Sequence, residues 1–316
     1  MDKKMKKLAY VPEIFIKNKY LSDRVRHFFQ EIERSCGFKV NYSERITEEA
    51  KTAGLLMVYA GAHGQMLLKD AMNIKGPKKI FLLTGPHALN RVILSRIIDV
   101  SSLTLVTYKH YFEKKFPKLA SKTVYFPLYF APHERYARLK VREKPIMKCL
   151  LTGHTIPRLY PFRDALKTTI KNNQKYWKYA DIMRHPRWAR RGRLESYEIG
   201  PQLNEDYAKT LNRYFCSIAT DSKYRYGLAK YYEIPAAGAL LIATRTPDIN
   251  DAGFKPWVHF VPIEKKDSEK AMNQVIKIIE NPSNYEFIRK QGREFVLENH
   301  SVKNRVQRFK ELLERI

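Results

Sequence analysis

Cysteine is scarce and scattered. The chain has 316 residues and three cysteines, Cys36, Cys149 and Cys216, with no C-x-x-C pair. This argues against a disulfide framework and a cysteine-based zinc site, and it fits a reducing, cytoplasmic setting. Long apolar runs are missing as well. The basic start, Met1-Asp2-Lys3-Lys4-Met5-Lys6-Lys7, is followed only by Leu8 to Val11 before Pro12, too short for the apolar core of a secretory signal. Nothing approaches the ~20 apolar residues of a membrane span, so any membrane contact is expected to be peripheral, at an inner face. No D-x-D triplet occurs, and no His, Cys or Asp cluster has ligand spacing. A divalent ion is therefore expected to be dispensable. No G-x-G-x-x-G follows an apolar run, and Gly61-x-x-Gly64 is only a fragment of one; this speaks against a nicotinamide dehydrogenase. Helix-turn-helix, RNA-binding and zinc-finger signatures are absent.

Acidic residues are in short supply. Against 59 Lys and Arg stand 32 Asp and Glu, a formal net charge of +27. Such a chain attracts anions at long range. Nucleic acid, an anionic membrane face and phosphorylated small molecules all qualify, and so does general surface basicity. Hydrophobic residues make up 44%, enough for sizeable cores, and the length suits two domains.

What is present is an alternation of short apolar runs and helical patterns. Leu8 to Val11, Phe38 to Tyr42, Leu55 to Tyr59, Lys79 to Leu83, Leu103 to Thr107 and Val124 to Phe126 read as strands. Asp23 to Cys36 reads as a helix with Val25, Phe28, Phe29 and Ile32 on one face, stopped by Gly37. Pro132 to Pro145 lacks apolar periodicity and reads as a linker. The alternation restarts with strands at Ile146 to Thr152, Tyr179 to Met183, Tyr214 to Ala219, Ala239 to Thr244 and Trp257 to Pro262. Helices are expected at Arg163 to Asn172, Leu203 to Asn212, Leu228 to Ala237, Ser268 to Glu280, Tyr285 to Asn299 and Val302 to Ile316. The pattern predicts an α/β chain of two domains, 1–145 and 146–316, each a parallel sheet with helices on both faces, the last helix free to pack back on the first domain. Ligands of such sheets sit beyond the carboxyl ends of the strands, so two of them facing each other would hold one ligand on each side of a cleft.

Two segments of the second half carry the chemistry. Leu151-Thr152-Gly153-His154-Thr155 follows a strand, with Arg158 and Arg163 downstream. A glycine there lets backbone approach a phosphate, and forked guanidinium groups pair with its oxygens. The bland alternative is a turn with two solvated arginines. The second segment runs from Lys230 to Ile242. Lys230 and Glu233, three apart, share a helix face. Lys230 would meet phosphate, and Glu233 would accept hydrogen bonds from ribose hydroxyls. The alternative is a surface ion pair. Pro235 should shorten or bend the helix.

On these residues the segment from Lys223 to Ile316 resembles the C-terminal part of GT-B glycosyltransferases, the group that includes spore-maturation-type bacterial enzymes. It carries K/R-x-x-E-x-x-A-x-G at Lys230 to Gly238, Asn281-Pro282, Gly292-Arg293, and His300-Ser301 with Arg305, in the family's order. Thr152-Gly153 followed by Tyr160-Pro161-Phe162-Arg163 is similar to the opening of the same domain. The resemblance implies two Rossmann-like domains and a nucleotide-diphosphate sugar, a UDP-sugar first, as donor substrate rather than a tightly bound cofactor. It implies Gly153, His154, Arg158, Arg163 and Lys230 around the diphosphate, and Glu233 on the ribose. Many relatives carry two glutamates eight apart; here Arg225 stands eight before Glu233, so a retaining mechanism of the best-known type is not implied.

The first half should hold the acceptor and a base. His87, just past Lys79 to Leu83, is the first candidate; His63 and Asp70 are alternatives, and a structural role is open for each. The run from Arg184 to Arg193 holds five arginines and Trp188. It would suit an anionic acceptor, whether an acidic glycan, a lipid-linked saccharide or DNA, or else be a solvated loop. Two other functions compete: a DNA-modifying glucosyltransferase of phage type, and a non-catalytic basic nucleic-acid-binding protein.

Overall fold

The structure, a computed structural model, describes residues 5–17, 24–61, 63–128, 133–186 and 193–316. The chain divides into two compact units. One comprises Met1–Tyr129 with Val302–Ile316; the other is Phe130–Ser301.

In the first unit, β1 (Lys7–Val11) is followed by α1 (Ile14–Lys17), α2 (Arg24–Cys36) and β2 (Phe38–Tyr42). Next come β3 (Leu55–Ala60), α3 (Gln65–Asn73), β4 (Lys78–Leu83), α4 (Arg91–Val100) and β5 (Leu103–Val106). The short helices α5 (Lys109–Lys115) and α6 (Pro117–Ala120) lead to β6 (Val124–Tyr125). The sheet order is β2-β1-β3-β4-β5-β6, and every pairing is parallel. All six residues of β3 are buried, which is why it reads as an unbroken apolar run rather than an alternating one. Gly37, at φ +71°, makes the left-handed turn that ends α2 and starts β2.

The second unit begins with α7 (His133–Ala137) and β7 (Ile146–Leu151), then α8 (Pro161–Asn172), β8 (Ala180–Met183) and β9 (Glu198–Ile199). It continues through α9 (Asn204–Arg213), β10 (Tyr214–Ala219), α10 (Lys230–Ala236), β11 (Leu240–Thr244) and α11 (Pro247–Asp251). It closes with β12 (Val261–Ile263), α12 (Ser268–Glu280) and α13 (Glu286–Asn299). The order is β12-β11-β10-β7-β8-β9, again parallel throughout. The core packs β7, β10 and β11 against α8 and α12 through Leu151, Leu166, Ile218, Ile242 and Val275.

Helix α14 (Val302–Leu313) belongs to the first unit. Its Phe309 packs against Phe28 of α2, Phe38 and Phe126, with ring centroids 5.9, 6.0 and 6.1 Å away.

Three local differences from the sequence pattern have physical causes. The stretch read as a linker forms α7, and Tyr136 there is buried. Its carbonyls are taken up by long side chains of the second unit: Arg293 donates to Leu139, Arg289 to Arg142, and Asn212 to Lys140. The last strand is shorter than Trp257 to Pro262 because Trp257 adopts φ +64° and its amide turns back to the Phe260 carbonyl. Helix α10 begins at Lys230 and stops at Ala236, with Pro235 unable to donate an amide.

Candidate functional site

The carboxyl end of β7 is the best-built corner of the second unit. Leu151 and Thr152 are buried, and Gly153 then adopts φ +98°, a region closed to most side chains. A Cβ on Gly153 would lie 2.7 Å from Lys230 Cε and 3.0 Å from Arg163 Nη1. The glycine thus lets two cations approach the same stretch of backbone.

Arg163 sits in the first turn of α8, after Pro161 at its start, and is 2% exposed. Its guanidinium donates to Thr220 Oγ1 at 3.1 Å, to the Thr220 carbonyl at 2.8 Å and to the His154 carbonyl at 3.1 Å. It also lies 4.3 Å from the Tyr160 ring centre. Among the described residues these acceptors are neutral, and no carboxylate pairs with it. Burial pushes its pKa below the usual guanidinium value, although arginine remains charged. A buried cation without an ion-pair partner is costly, and an incoming anion relieves that cost.

Lys230 opens α10. Its ammonium donates to the Tyr207 hydroxyl at 2.8 Å and stands 4.9 Å from the Tyr207 ring centre. That hydroxyl is 3.1 Å from Thr152 Oγ1. Thr152, Tyr207 and Lys230 therefore tie β7, α9 and α10 together at one point. Glu233 follows one turn later on α10 and is half-buried. Because α10 has only seven residues, its dipole contributes little, and side-chain cations must supply most of any anion binding.

The other end of α10 is fixed by long-range contacts that are not evident in the motif. Asn212 donates to the Ala237 carbonyl at 2.7 Å, Arg289 to the Gly238 carbonyl at 2.7 Å, and Arg293 to the Ala236 carbonyl. Gly292 presses against the His259 carbonyl, where a Cβ would overlap it. His300 stacks on Phe254 with ring centroids 5.7 Å apart and shares a hydrogen bond of 2.9 Å with the Ala252 carbonyl. Gly292, Arg293 and His300 thus have scaffolding contacts that aim α10.

A hollow of about 390 Å³ adjoins Gly153 and His154, between the carboxyl ends of β7 and β8. Ile182 and Met183 give it an apolar wall, and Arg184 and Glu198 a polar one. Arg184 donates to Glu198 at 2.9 Å. Burial alone would push the Glu198 carboxyl up, but the Arg184 guanidinium and the Glu195 amide hold it below the usual carboxylate range. The His154 and His185 rings lie 4.7 Å apart beside it. Arg158 is exposed in the turn before α8. Of the basic run, residues 187–192, including Trp188, lie outside the described residues.

In the first unit, His87 is exposed in a single helical turn after β4, edge-on to Tyr111 at 6.3 Å. His63 is exposed after β3, its ring 6.1 Å from Phe15. Both stand at carboxyl ends of strands. Asp70 lies within α3, and its Oδ2 accepts from Arg45 Nε at 2.8 Å and the Ile46 amide at 3.1 Å. That carboxylate anchors the loop after β2. Tyr207 and Asn212 were not singled out from the sequence; nothing local marks them, because their partners are distant in the chain.

Residues 157–311 match the family described as glycosyl transferase-like. Comparison with curated proteins yields no match. Among solved structures, HepE of Anabaena in complex with UDP and glucose aligns with a TM-score of 0.68 at 12% identity, covering 99% of this chain and 100% of that one. Sucrose-phosphate synthase of Thermosynechococcus elongatus aligns with a TM-score of 0.67 at 12% identity, covering 99% of each chain. An alpha-glucosyltransferase in complex with UDP and a 13-mer DNA containing a HMU base aligns with a TM-score of 0.60 at 11% identity, covering 98% of each. Two parallel six-stranded sheets flanked by helices, together with these alignments, are the two Rossmann-like domains of the GT-B fold. The glycosyl transferase-like family spans residues 157–311, most of the second unit, and the chain as a whole has the GT-B fold.

Proposed function

We propose that the chain transfers a sugar from a UDP-sugar to a hydroxyl of an anionic acceptor, a glycan or a lipid-linked saccharide, without a divalent ion. The observation that carries the donor reading is the convergence of Arg163 and Lys230 on Gly153, beside the hollow between β7 and β8. In this reading the diphosphate lies against the turn at Gly153, where Lys230 and Arg163 converge. Arg163, Lys230 and the more exposed Arg158 balance its charge as the leaving group departs. The nucleoside enters the hollow toward Met183, with His154 at its side and Glu233 on the ribose. His87 takes the acceptor proton, with His63 as the alternative; the engagement of Asp70 with Arg45 favours a loop-anchoring role over a base. HepE in complex with UDP-glucose supports the choice of uridine. The alpha-glucosyltransferase bound to DNA supports DNA as a second acceptor reading.

The test is calorimetric titration with UDP, GDP and CMP and their sugar conjugates, without added metal. UDP is expected to bind saturably. Lys230→Ala should weaken it about 10- to 100-fold, the range for a lost charge-assisted hydrogen bond. Binding by none of the nucleotides would overturn the donor reading. His87→Ala should leave UDP affinity unchanged and abolish transfer; normal turnover would remove His87 as the base.

A further inference from the structure

A second hollow of the C-terminal unit shares no lining residue with the one at Gly153. It has a volume of about 780 Å³ and opens where β11 and β12 end, against the start of α12. Five cations line it: Arg225, Arg245, Lys265, Lys266 and Lys270. Two carboxylates, Glu264 and Asp267, stand among them. Among the described residues Trp257 is the one aromatic in its lining, and it is 52% exposed.

The backbone here is unusual. Among the described residues three non-glycine residues have positive φ, and two of them, Arg225 at 61° and Trp257 at 64°, line this hollow. Left-handed backbone is unfavourable for bulky side chains and concentrates at ligand sites. Each is held by a turn: the Arg225 amide donates to the Ser222 carbonyl at 2.9 Å, and the Trp257 amide to the Phe260 carbonyl at 2.8 Å. Neither turn buries its side chain, for Arg225 is 63% exposed. Asp221, 3% exposed, fixes two of the cations from below, pairing with Lys265 and lying 4.0 Å from Arg225. Arg245 and Lys266 are exposed and make no hydrogen bond or ion pair with any described residue. The site thus has an anchored floor, unengaged cations and a presented aromatic face.

We propose that this hollow binds an acidic saccharide unit of the acceptor, a sugar bearing a carboxylate or a phosphate. The proposal rests on the reading of the chain as a transferase with an anionic acceptor. The guanidinium and ammonium groups pair with the anionic substituent. The Trp257 face covers the apolar C–H face of the sugar ring. Glu264 and Asp267, which can only accept hydrogen bonds when ionised, take the ring hydroxyls. The same two carboxylates disfavour a DNA strand, whose backbone offers phosphates but no hydroxyl donors. Single-stranded nucleic acid also stacks successive bases on successive aromatics, and among the described lining residues Trp257 is the one aromatic.

The experiment is calorimetric titration of the full chain, without donor, with four probes: an oligogalacturonate, a hexose phosphate, neutral maltotriose and a single-stranded oligothymidylate. One or both acidic sugars are expected to bind, the pair reporting which substituent is preferred, and maltotriose is expected to bind at least about 10-fold more weakly. The double variant Arg245→Ala, Lys266→Ala and, separately, Trp257→Ala should each weaken the acidic sugar at least about 10-fold while UDP affinity stays unchanged. Binding by neither acidic sugar, equal binding of maltotriose, or undiminished affinity in both variants would overturn the proposal. Tighter binding of oligothymidylate, lost in the same variants, would overturn it in favour of a polynucleotide. UDP titrated into the same preparation reports on the donor reading separately, so failure of one leaves the other measurable.

Discussion

Lys230 crosses over Gly153 so closely that a Cβ on the glycine would sit 2.7 Å from Lys230 Cε. Arg163 Nη1 reaches the same point at 3.0 Å. Gly153→Ala therefore combines a strained φ of +98° with displacement of the flexible lysine. UDP affinity is expected to fall about 10-fold or more, because the ammonium can no longer face the backbone of the turn. Calorimetry on the variant checks this; unchanged affinity would mean that the close approach is incidental to donor binding.

Arg163 depends on the shape of its head as much as on its charge. Three donors reach Thr220 and the His154 carbonyl, joining the ends of β10 and β7. Arg163→Lys keeps the charge and loses the fork. The stability cost is expected to be about 1–3 kcal/mol, from buried acceptors left unmatched, and urea denaturation measures it. UDP should raise the melting temperature of the variant less than that of the wild type. Equal stability in the two proteins would contradict the joining role.

The strands were legible because parallel strands buried on both faces are continuous apolar runs, as in Leu55–Ala60 and Tyr214–Ala219. Gly153, Arg163 and Lys230 were legible as types suited to phosphate. Their meeting point was not: Lys230 is held beside Thr152 by Tyr207, which is 55 residues from Thr152 and 23 from Lys230. The segment 133–145 was misread because its backbone is held by Arg289, Arg293 and Asn212 instead of by an apolar face of its own. Trp257 belongs to the same class: β-propensity favours a strand there, and a turn hydrogen bond overrides it.

Asp70 gives a pH-dependent test. Burial alone would push its carboxyl up, but the Arg45 guanidinium and the Ile46 amide outweigh burial and hold it below the usual carboxylate range. Because the folded pKa lies under the unfolded one, the stabilisation is complete above the unfolded value, about 3.9, and is lost as pH falls through the folded value. Asp70→Asn is expected to cost about 1 kcal/mol at neutral pH. That difference should shrink on acidification through that range, with UDP affinity unaffected. A difference in urea midpoint that stays constant down to low pH would contradict the assignment.

Gly292 tests the scaffold behind α10. A Cβ at this helical position would overlap the His259 carbonyl, a backbone group that cannot rotate aside. Gly292→Ala is expected to destabilise by about 1–3 kcal/mol, in the range of overpacked cores. Since α13 also carries Arg289 and Arg293, which cap the end of α10, the shift should lower UDP affinity too. A variant as stable as the wild type in thermal melting would show that α13 has room to move.

Metal removal tests where the charge of the leaving diphosphate goes. Two phosphates departing together need cationic stabilisation, which either a bound ion or fixed side chains can supply. Arg163 is already desolvated and pairs with neutral acceptors, so an arriving diphosphate meets a charge whose burial has been completed on folding. Lys230 adds a second cation at the same turn. Turnover, followed as UDP release, is therefore expected to stay within about twofold when EDTA is added. A rate abolished by EDTA and restored by Mg²⁺ or Mn²⁺ would overturn this. The same assay on Lys230→Ala separates the two sources of charge: if side chains carry the leaving group, its turnover falls at any metal concentration.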